Sequence, residues 1–314
     1  MEKHWVTGAS GFIGRHLCSY LVTQGHVVTG LGRGGWSDAE AAECGLSRWL
    51  SGDISASNLS SLGSVSGVPD VVFHLAGGAS VGAALENPHA DFLSSVAASA
   101  ELLEWLRQES PQTRLVVASS AAVYGAGHLG PIPETAVLRP CSPYGYHKLM
   151  MESLCRSYAI SYASKVVVAR LFSVYGAGLR KQLMWDLCRK LEAGVARVEL
   201  GGSGNELRDW TDVRDIVCAL TSVSKLASAE MPIVNVGAGK ASSVRDIAEG
   251  ILEAWGAGAR NREVVFDGRA RAGDPFSLQA DAQKMEALGF EWKIPITQGL
   301  ADYVRWFASR NQLV

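Results

Sequence analysis

The stretch that decides the fold is Thr7-Gly8-Ala9-Ser10-Gly11-Phe12-Ile13-Gly14, which follows the first apolar run of the chain and opens a helix-period segment. Gly8 can take the tight turn, Gly11 lets the backbone approach a phosphate, and Gly14 allows close packing of helix on strand. The helix N-terminus adds unpaired N–H groups and the positive end of a dipole, which attract an anion. Strand, glycine turn and helix in this order predict a dinucleotide-binding site at the start of the chain.

Outward from this turn, short β-branched runs alternate with helix-period segments. The runs are Trp5-Val6, Val27-Leu31, Val71-His74, Leu115-Ala118, Val166-Arg170 and Ile233-Val236, and the segments include Phe12 to Thr23, Ala90 to Gln108 and Tyr144 to Ala163. This alternation is typical of right-handed βαβ units, in which helices cover both faces of a parallel sheet. We predict an α/β fold with a Rossmann-type doubly wound parallel sheet.

The rhythm of strands and helices loosens beyond about residue 172, where glycine- and arginine-rich connections appear. We therefore predict a dinucleotide-binding domain over residues 1–172, with residues 211–236 rejoining it. Residues 173–210 and 237–314 are predicted to form a smaller C-terminal α/β lobe that binds the substrate.

The composition of the 314-residue chain excludes several classes of protein. It is 47% hydrophobic and 19% charged, which fits a soluble chain with a sizeable core and excludes a disordered or coiled-coil chain. The formal net charge of −2 gives no basic field for a nucleic acid, and no apolar run approaches the roughly 20 residues that cross a bilayer. The six cysteines form no C-x-x-C pair and the start lacks a signal-peptide pattern, which predicts free thiols, no metal site and a cytoplasmic protein.

The end of the second apolar run bears on which nicotinamide cofactor binds. Enzymes that use NAD usually carry an acidic residue there, about 20 residues after the glycines, which binds the adenosine ribose. Here the segment reads Gly30-Leu31-Gly32-Arg33, so the acid is missing and a guanidinium follows. Arg33 could pair with the 2′-phosphate of NADP, which favours NADP(H). The alternative is that Arg33 only stacks on the adenine while NAD binds.

A tyrosine and a lysine lie one helical turn apart in Ser142-Pro143-Tyr144-Gly145-Tyr146-His147-Lys148. Tyr144 and Lys148 share a helix face at this spacing, and a nearby ammonium favours the phenolate, which would lower the pKa of Tyr144. The segment follows a run that ends in Ser119-Ser120, so the order of hydroxyls, phenol and ammonium predicts a reacting centre. The plain structural alternative is an amphipathic helix with an aromatic residue on its buried side.

Together these motifs resemble the extended short-chain dehydrogenase/reductase family, of the NAD-dependent epimerase/dehydratase type. Gly52-Asp53-Ile54 resembles the adenine-contacting turn of that family, and His74-Leu75-Ala76-Gly77-Gly78 resembles its loop beside the pyrophosphate. The resemblance covers nearly the whole chain and implies a bound nicotinamide dinucleotide. The residues that it implies for cofactor binding are Gly8, Ser10, Gly11, Phe12, Ile13, Gly14, Arg33, Asp53, Ile54, Leu75, Ala76, Gly77, Ser119, Tyr144, Lys148, Leu171 and Ser173.

The resemblance implies a catalytic set of Ser120, Tyr144 and Lys148. Tyr144 would exchange a proton with the substrate oxygen as hydride moves to or from the nicotinamide, while Lys148 holds the cofactor ribose and tunes Tyr144. Ser120 would hydrogen-bond the same oxygen, with Ser119 as the alternative.

Two segments of the second lobe, Arg208 to Asp215 and Arg271 to Pro275, resemble those that bring arginines to the diphosphate of nucleotide sugars. The implied substrate is a nucleotide-diphosphate sugar, and the residues implied to bind it are Ser80, Ser120, Ser173, Arg208 and Arg271. The resemblance also implies a homodimer, built from helices that lie within residues 90–108 and 144–163.

The choice of reaction rests on fewer residues. Dehydratases of this family carry an acid/base pair where this chain has Ala121-Ala122, so dehydration is excluded. Gly32-Arg33 and the Arg208 to Asp215 segment favour NADPH-dependent reduction of a nucleotide-linked 4-keto-6-deoxyhexose at C4. The alternative is a 4-epimerase that retains NAD, which the segment Ala121 to Gly125 resembles more closely. A cofactor-binding regulator on the same fold is disfavoured, because such proteins often lose the tyrosine and the lysine.

Overall fold

The computed structural model describes residues 1–259, 262–269, 273 and 275–310. Its strands are β1 (Lys3–Thr7), β2 (Val27–Gly32), β3 (Arg48–Ser51), β4 (Val71–His74), β5 (Arg114–Ser120), β6 (Pro131–Ile132), β7 (Lys165–Leu171), β8 (Ser173–Tyr175), β9 (Arg197–Leu200), β10 (Leu207–Asp212), β11 (Ile233–Val236), β12 (Ala241–Ser243), β13 (Glu263–Phe266) and β14 (Ser277–Ala280).

The α-helices are α1 (Phe12–Thr23), α2 (Asp38–Glu43), α3 (Ala56–Ser66), α4 (Val81–Glu86), α5 (Pro88–Phe92), α6 (Ala98–Glu109), α7 (Pro143–Tyr162), α8 (Gln182–Glu192), α9 (Val213–Val223), α10 (Val244–Trp255), α11 (Gln283–Ala287) and α12 (Ile296–Ser309). A π-helix, Leu93–Ala97, joins α5 to α6. Short 3₁₀ turns cover Ala121–Val123, Ser224–Leu226 and Gly256–Ala259.

The chain folds into two compact units, each with most of its residue–residue contacts within itself. Unit 1 comprises Met1–Gly125, Glu134–Leu171 and Val217–Val236. Unit 2 comprises Ala126–Pro133, Phe172–Ile216 and the described part of Gly237–Val314.

Unit 1 is built on a seven-stranded parallel sheet with the order β11-β7-β5-β4-β1-β2-β3. Thr7, at the carboxyl end of β1, pairs with Leu31 of β2 and with His74 of β4. The carboxyl ends of these strands therefore meet at one edge of the sheet, which is where ligands of open α/β sheets bind. The prediction of an α/β fold with a Rossmann-type doubly wound sheet is confirmed.

The core of unit 1 explains why the apolar runs become strands. One cluster of buried side chains joins the central strands to α3, α6 and α7; it includes Trp5, Leu59, Leu102, Leu115 and Met151. Strands covered on both faces are nearly continuous apolar runs, which is the pattern read from the sequence. Each large aliphatic side chain buried in this way contributes about 1.5–3 kcal/mol to folding.

Unit 2 contains a mixed sheet with the order β12-β10-β14-β6, in which β8 also pairs with β10, and a separate parallel pair of β13 and β9. Asp209, in the middle of β10, is fully buried and ties this sheet together. Its carboxylate accepts hydrogen bonds from the backbone N–H groups of Ala238 (2.9 Å), Gly239 (2.8 Å) and Ala280 (3.1 Å). Asp209, which belongs to the segment Arg208 to Asp215, is therefore structural: its buried carboxylate needs donors, and the three backbone N–H groups supply them.

Two local features differ from the sequence-based expectation. β3 was not expected, since Arg48 and Ser51 are exposed and an edge strand lacks a continuous apolar run. The helix expected over residues 90–108 is divided by the π-helix. A π-helix adds only one residue to a turn, which changes the spacing of apolar residues too little to be detected in the sequence. Within the described ranges, every helix is too short or too polar to cross a membrane.

Candidate active site

The glycine turn after β1 is as tight as the sequence predicts. Gly8 has φ +70, in the left-handed region, and a Cβ on Gly14 would lie 2.2 Å from the carbonyl oxygen of Gly8. A side chain at either position would therefore force the backbone apart. Gly11, the N-cap residue of α1, has no side chain to cap the first turn, so the N–H groups there can receive an anion.

The loop after β4 lies against this turn. The N–H of Leu75 donates to the carbonyl of Thr7 (3.1 Å), and the N–H of Ala76 donates to the Thr7 hydroxyl (3.3 Å). His74 supports the loop from below: its ring contacts the hydroxyls of Thr7 (2.8 Å) and Ser99 (2.9 Å). Burial lowers the pKa of His74 to about 3, so the imidazole is neutral and structural. The glycine turn and the predicted pyrophosphate loop thus form one continuous backbone surface.

The end of β2 has little room for an acidic side chain. A Cβ on Gly32 would lie 3.3 Å both from the Ser10 hydroxyl and from the indole of Trp49. The next residue, Arg33, places its Nε 3.6 Å from Oδ1 of Asp53, with both side chains largely exposed (67% and 77%). Such an exposed pair is weak, but it puts a carboxylate beside the guanidinium that was expected to meet a 2′-phosphate.

The catalytic candidates come together where β5 ends and α7 begins. Ser142 caps α7 by accepting the N–H of Gly145 (3.2 Å), and the hydroxyls of Tyr144 and Ser120 share a hydrogen bond. One turn further, Nζ of Lys148 lies 5.8 Å from the ring centroid of Tyr144 and donates to the carbonyl of Ala118 (2.9 Å). A serine hydroxyl, a phenol and an ammonium therefore form one cluster at the carboxyl edge of the sheet.

The electrostatics of this cluster differ from the expectation in one respect. Burial raises the pKa of Tyr144, the hydrogen bond from Ser120 opposes that rise, and the charge of Asp91 adds to it. The pKa of Tyr144 therefore shifts upward overall, which makes the expected net fall wrong, because desolvation of the phenolate dominates. Lys148 is itself buried, which lowers its pKa to about 8 even though Asp91 and Glu152 oppose the change.

Ser119 and Ser120 point to different partners, as neighbouring strand residues do. The Ser119 hydroxyl donates to Oε1 of Glu152 (2.5 Å) and is fully enclosed, whereas Ser120 faces Tyr144. Between the two serines considered for the substrate oxygen, the geometry therefore favours Ser120.

A buried polar network beneath these serines was missed by the sequence reasoning. Nη2 of Arg170 donates to Oε2 of Glu152 (2.7 Å) and Nη1 donates to the Tyr124 hydroxyl (3.0 Å). The Tyr124 hydroxyl in turn donates to Asn235 (2.6 Å). Glu152 lies four residues after Lys148, and Arg170 interrupts the apolar run of β7. A charged residue within an apolar strand and an acid on the catalytic helix are the sequence features that could have indicated a buried ion pair.

A second missed contact pairs His147 with Asp91. Nδ1 of His147 lies in close contact with Oδ2 of Asp91, and both side chains are largely buried. The sequence does not reveal this partner, because Asp91 lies far from His147 in the chain and reaches the ring only where α5 packs against α7.

The substrate-binding candidates lie in both units. Ser80 caps α4 by accepting the N–H of Ala83 (3.3 Å). In unit 2, Ser173 begins β8 opposite Trp210 of β10, and Nη1 of Arg208 donates to the carbonyls of Leu207 (2.8 Å) and Phe276 (3.1 Å). Arg271 lies outside the described residues.

Comparison with known proteins agrees with this geometry. The sequence model of the NAD dependent epimerase/dehydratase family matches residues 5–237. YtcB of Bacillus subtilis (strain 168), described as an uncharacterized UDP-glucose epimerase, is 30% identical over 99% of both chains. The UDP-glucuronate 4-epimerase of Thermodesulfobacterium geofontis (strain OPF15) is 29% identical over 100% of this chain and 98% of its own.

Among solved structures, MoeE5 in complex with UDP-glucuronic acid and NAD superposes with a TM-score of 0.85 at 33% identity, covering 98% of this chain and 99% of MoeE5. The family match spans well over half of the chain, and the similarity to these relatives runs from end to end. The resemblance inferred from the glycine turn and the Tyr144–Lys148 pair is confirmed. This chain belongs to the NAD dependent epimerase/dehydratase family.

Proposed function

We propose that this chain is a nucleotide-sugar 4-epimerase, which oxidises and then re-reduces C4 of a UDP-linked sugar with a retained NAD. The observation that carries the proposal is the hydrogen bond between Ser120 and Tyr144 with Lys148 one turn away. Relatives named as UDP-sugar epimerases, among them a UDP-glucuronate 4-epimerase, support the alternative raised from the sequence better than they support the 4-ketoreductase. Two alanines, Ala121 and Ala122, stand where dehydration would need an acid and a base.

NAD fits the residues that are present better than NADP. The first turn of α1 and the close approach of Gly8 and Gly14 form a cradle for a pyrophosphate. Asp53, beside Arg33, offsets the positive charge on which the preference for NADP depended, and its carboxylate would repel a 2′-phosphate. The solved MoeE5 complexes contain NAD together with a UDP-sugar, which supports the same choice.

The chemistry follows from the cluster at the end of β5. Bound NAD supplies the hydride acceptor and, in the return step, the hydride donor. Tyr144 takes the proton of the C4 hydroxyl as the C4–H bond gives up its hydride, and the C4–O bond becomes a carbonyl. Ser120 holds that oxygen through a hydrogen bond, and the charge on Lys148 favours the phenolate form of Tyr144 during the transfer. When the 4-keto sugar presents its other face, Tyr144 returns the proton and the C4 configuration is inverted.

The two units carry different binding residues, and this suggests which ligand each unit binds. Unit 1 holds the glycine turn, the Leu75–Gly77 loop and the catalytic cluster, and we assign the dinucleotide to it. Unit 2 holds Ser173 and Arg208, and we assign Arg208 to the diphosphate of the sugar nucleotide, with Arg271 as a second candidate.

The proposal is tested by reading the cofactor and the product together. Protein purified without added cofactor is denatured, and the released dinucleotide is identified by mass; we expect NAD. The same preparation, incubated with UDP-glucose or UDP-glucuronic acid and no added cofactor, should form the C4 epimer, seen by proton NMR of the sugar. Bound NADP, or turnover only when NADPH is consumed with a 4-keto sugar nucleotide, would instead establish the reductase.

We also propose a homodimer formed through the outer face of α4, the π-helix and α7. Apolar side chains on this face are about half exposed in the single chain; they are Leu85, Leu93, Tyr146 and Met150. α7 packs against α4, α5 and the π-helix, so these side chains belong to neighbouring elements of unit 1. An exposed apolar surface shared by several helices is typical of a protein–protein interface.

Introducing a charge on this face is expected to yield monomers. The Met150→Glu protein should sediment at half the mass of the wild type, because a buried carboxylate without a partner opposes association. Val65→Glu, on the exposed side of α3, is the matched control and should leave the mass unchanged. A wild-type protein that sediments as a monomer at micromolar concentration would refute the dimer.

A further inference from the structure

Asp91 is a buried carboxylate beside the reacting centre that the proposed mechanism does not use. It lies on α5 with 7% of its surface exposed, and Oδ2 contacts Nδ1 of His147. His147 is the residue immediately before Lys148 on α7. The His147 ring also packs edge-on against Phe92, 5.7 Å between centroids, so its orientation toward Asp91 is fixed by packing.

The loop after β4 brings Asp91 and Lys148 to neighbouring residues. A Cβ on Gly78 would lie 1.7 Å from Oδ1 of Asp91, and a Cβ on Gly77 would lie 3.5 Å from Nζ of Lys148. The loop is fixed there, because the N–H of Gly78 donates to the hydroxyl of Ser95 (2.8 Å). The carboxylate of Asp91 and the ammonium of Lys148 therefore lie against neighbouring residues of the same loop.

The charges that face this cluster come from four elements. α5 contributes Asp91, α7 contributes Tyr144, His147, Lys148 and Glu152, β4 contributes His74, and β5 contributes the Ser120 hydroxyl. Since burial keeps His74 neutral, the anions that act on Lys148 are Asp91 and Glu152. Asp91 also raises the pKa of Tyr144, whereas Glu152 is committed to Arg170 and Ser119.

We propose that Asp91, held by His147, is a positioning residue that fixes Lys148 and sets the pH range in which Tyr144 and Lys148 work. The inference rests on the proposed function of these two residues. Asp91 acts on the phenol of Tyr144 and on the ammonium of Lys148 through its charge. Its Oδ1 also lies against Gly78, so the carboxylate is close both to the loop after β4 and, through His147, to α7.

The pH dependence of kcat tests the proposal. We expect a bell-shaped profile whose two limbs report the titration of Tyr144 and Lys148 as a coupled pair. An anion nearby raises both pKa values, so Asp91→Asn should move both limbs of the profile to lower pH, by roughly one unit for charges separated by a few ångströms more than an ion pair. Asp70→Asn, the same change at the opposite edge of the sheet, should leave the profile in place.

A second measurement separates this inference from the proposed function. The ionisation of Tyr144 is followed by tyrosinate absorbance of the NAD-loaded protein, as the difference between each protein and its Tyr144→Phe counterpart. Asp91→Asn should ionise at lower pH whether or not the protein is an epimerase, and Asp91→Ser should do the same if the asparagine variant folds poorly. His147→Gln added to Asp91→Asn should cause no further shift, because His147 acts through Asp91.

The outcomes are distinct. Suppose that Asp91→Asn lowers kcat at every pH but changes neither the shape of the pH profile nor the titration of Tyr144. The proposed electrostatic role of Asp91 would then be wrong, and Asp91 would have only a structural role. A shifted titration in a protein that epimerises no UDP-sugar would support the role of Asp91 while refuting the proposed function.

Discussion

Replacing Tyr144 by phenylalanine is expected to reduce kcat for C4 epimerisation by about a thousandfold, the range that removal of a general acid–base group spans. A factor of this size corresponds to about 4 kcal/mol of transition-state stabilisation. The change removes only the hydroxyl that meets Ser120, and the ring stays packed where α7 begins. NAD should therefore still co-purify with the variant, since the cradle of α1 is untouched. Initial rates with UDP-glucose or UDP-glucuronic acid, on preparations matched for bound NAD, provide the measurement.

Tyr162→Phe is the matched control for this experiment. Tyr162 lies at the far end of the same helix and is about half exposed, so its hydroxyl has no part in the cluster. The control should epimerise at the wild-type rate. Activity of Tyr144→Phe within tenfold of the wild type would show that another group moves the proton, and the assignment of Tyr144 would fall.

The second large effect concerns the ion pair beneath the site. Arg170→Leu is expected to lower the free energy of unfolding by about 3–5 kcal/mol, the usual cost of breaking a buried pair by removing one partner. Arg170 and Glu152 are 1% and 4% exposed, and the variant leaves the Glu152 carboxylate buried with Ser119 as its remaining donor. The Tyr124 hydroxyl loses a donor in the same change. Urea denaturation followed by tryptophan fluorescence gives the free energy.

Two further variants separate the pair from its individual charges. Glu152→Leu combined with Arg170→Leu should recover part of the loss, because replacing both charges by apolar groups removes the unpaired carboxylate. Arg107→Leu breaks the exposed pair with Glu104 on α6 and should stay much closer to the wild type. If Arg170→Leu unfolds no more readily than Arg107→Leu, the buried network contributes little to stability.

Much of the fold could be read from the chain because the decisive signals are local. The glycine turn between β1 and α1 needs only three glycines at set positions, and apolar runs alternating with helix-period segments need only the spacing of neighbours. The same holds for Tyr144 and Lys148, whose four-residue spacing puts them on one face of any helix. β3 and the π-helix were not predicted, because an exposed edge strand and a one-residue insertion hardly change the spacing of apolar residues in the sequence.

The sequence by itself determined the parallel sheet, the dinucleotide turn and the tyrosine–lysine pair. Only the tertiary structure decided which serine meets Tyr144, that Glu152 pairs with Arg170 eighteen residues away, and that Asp91 reaches His147 across fifty-six residues. It also reversed the direction in which the pKa of Tyr144 shifts. The physical reason is that desolvation and charge depend on every group packed around an atom, whatever its place in the chain, and packing is settled only when distant segments have come together.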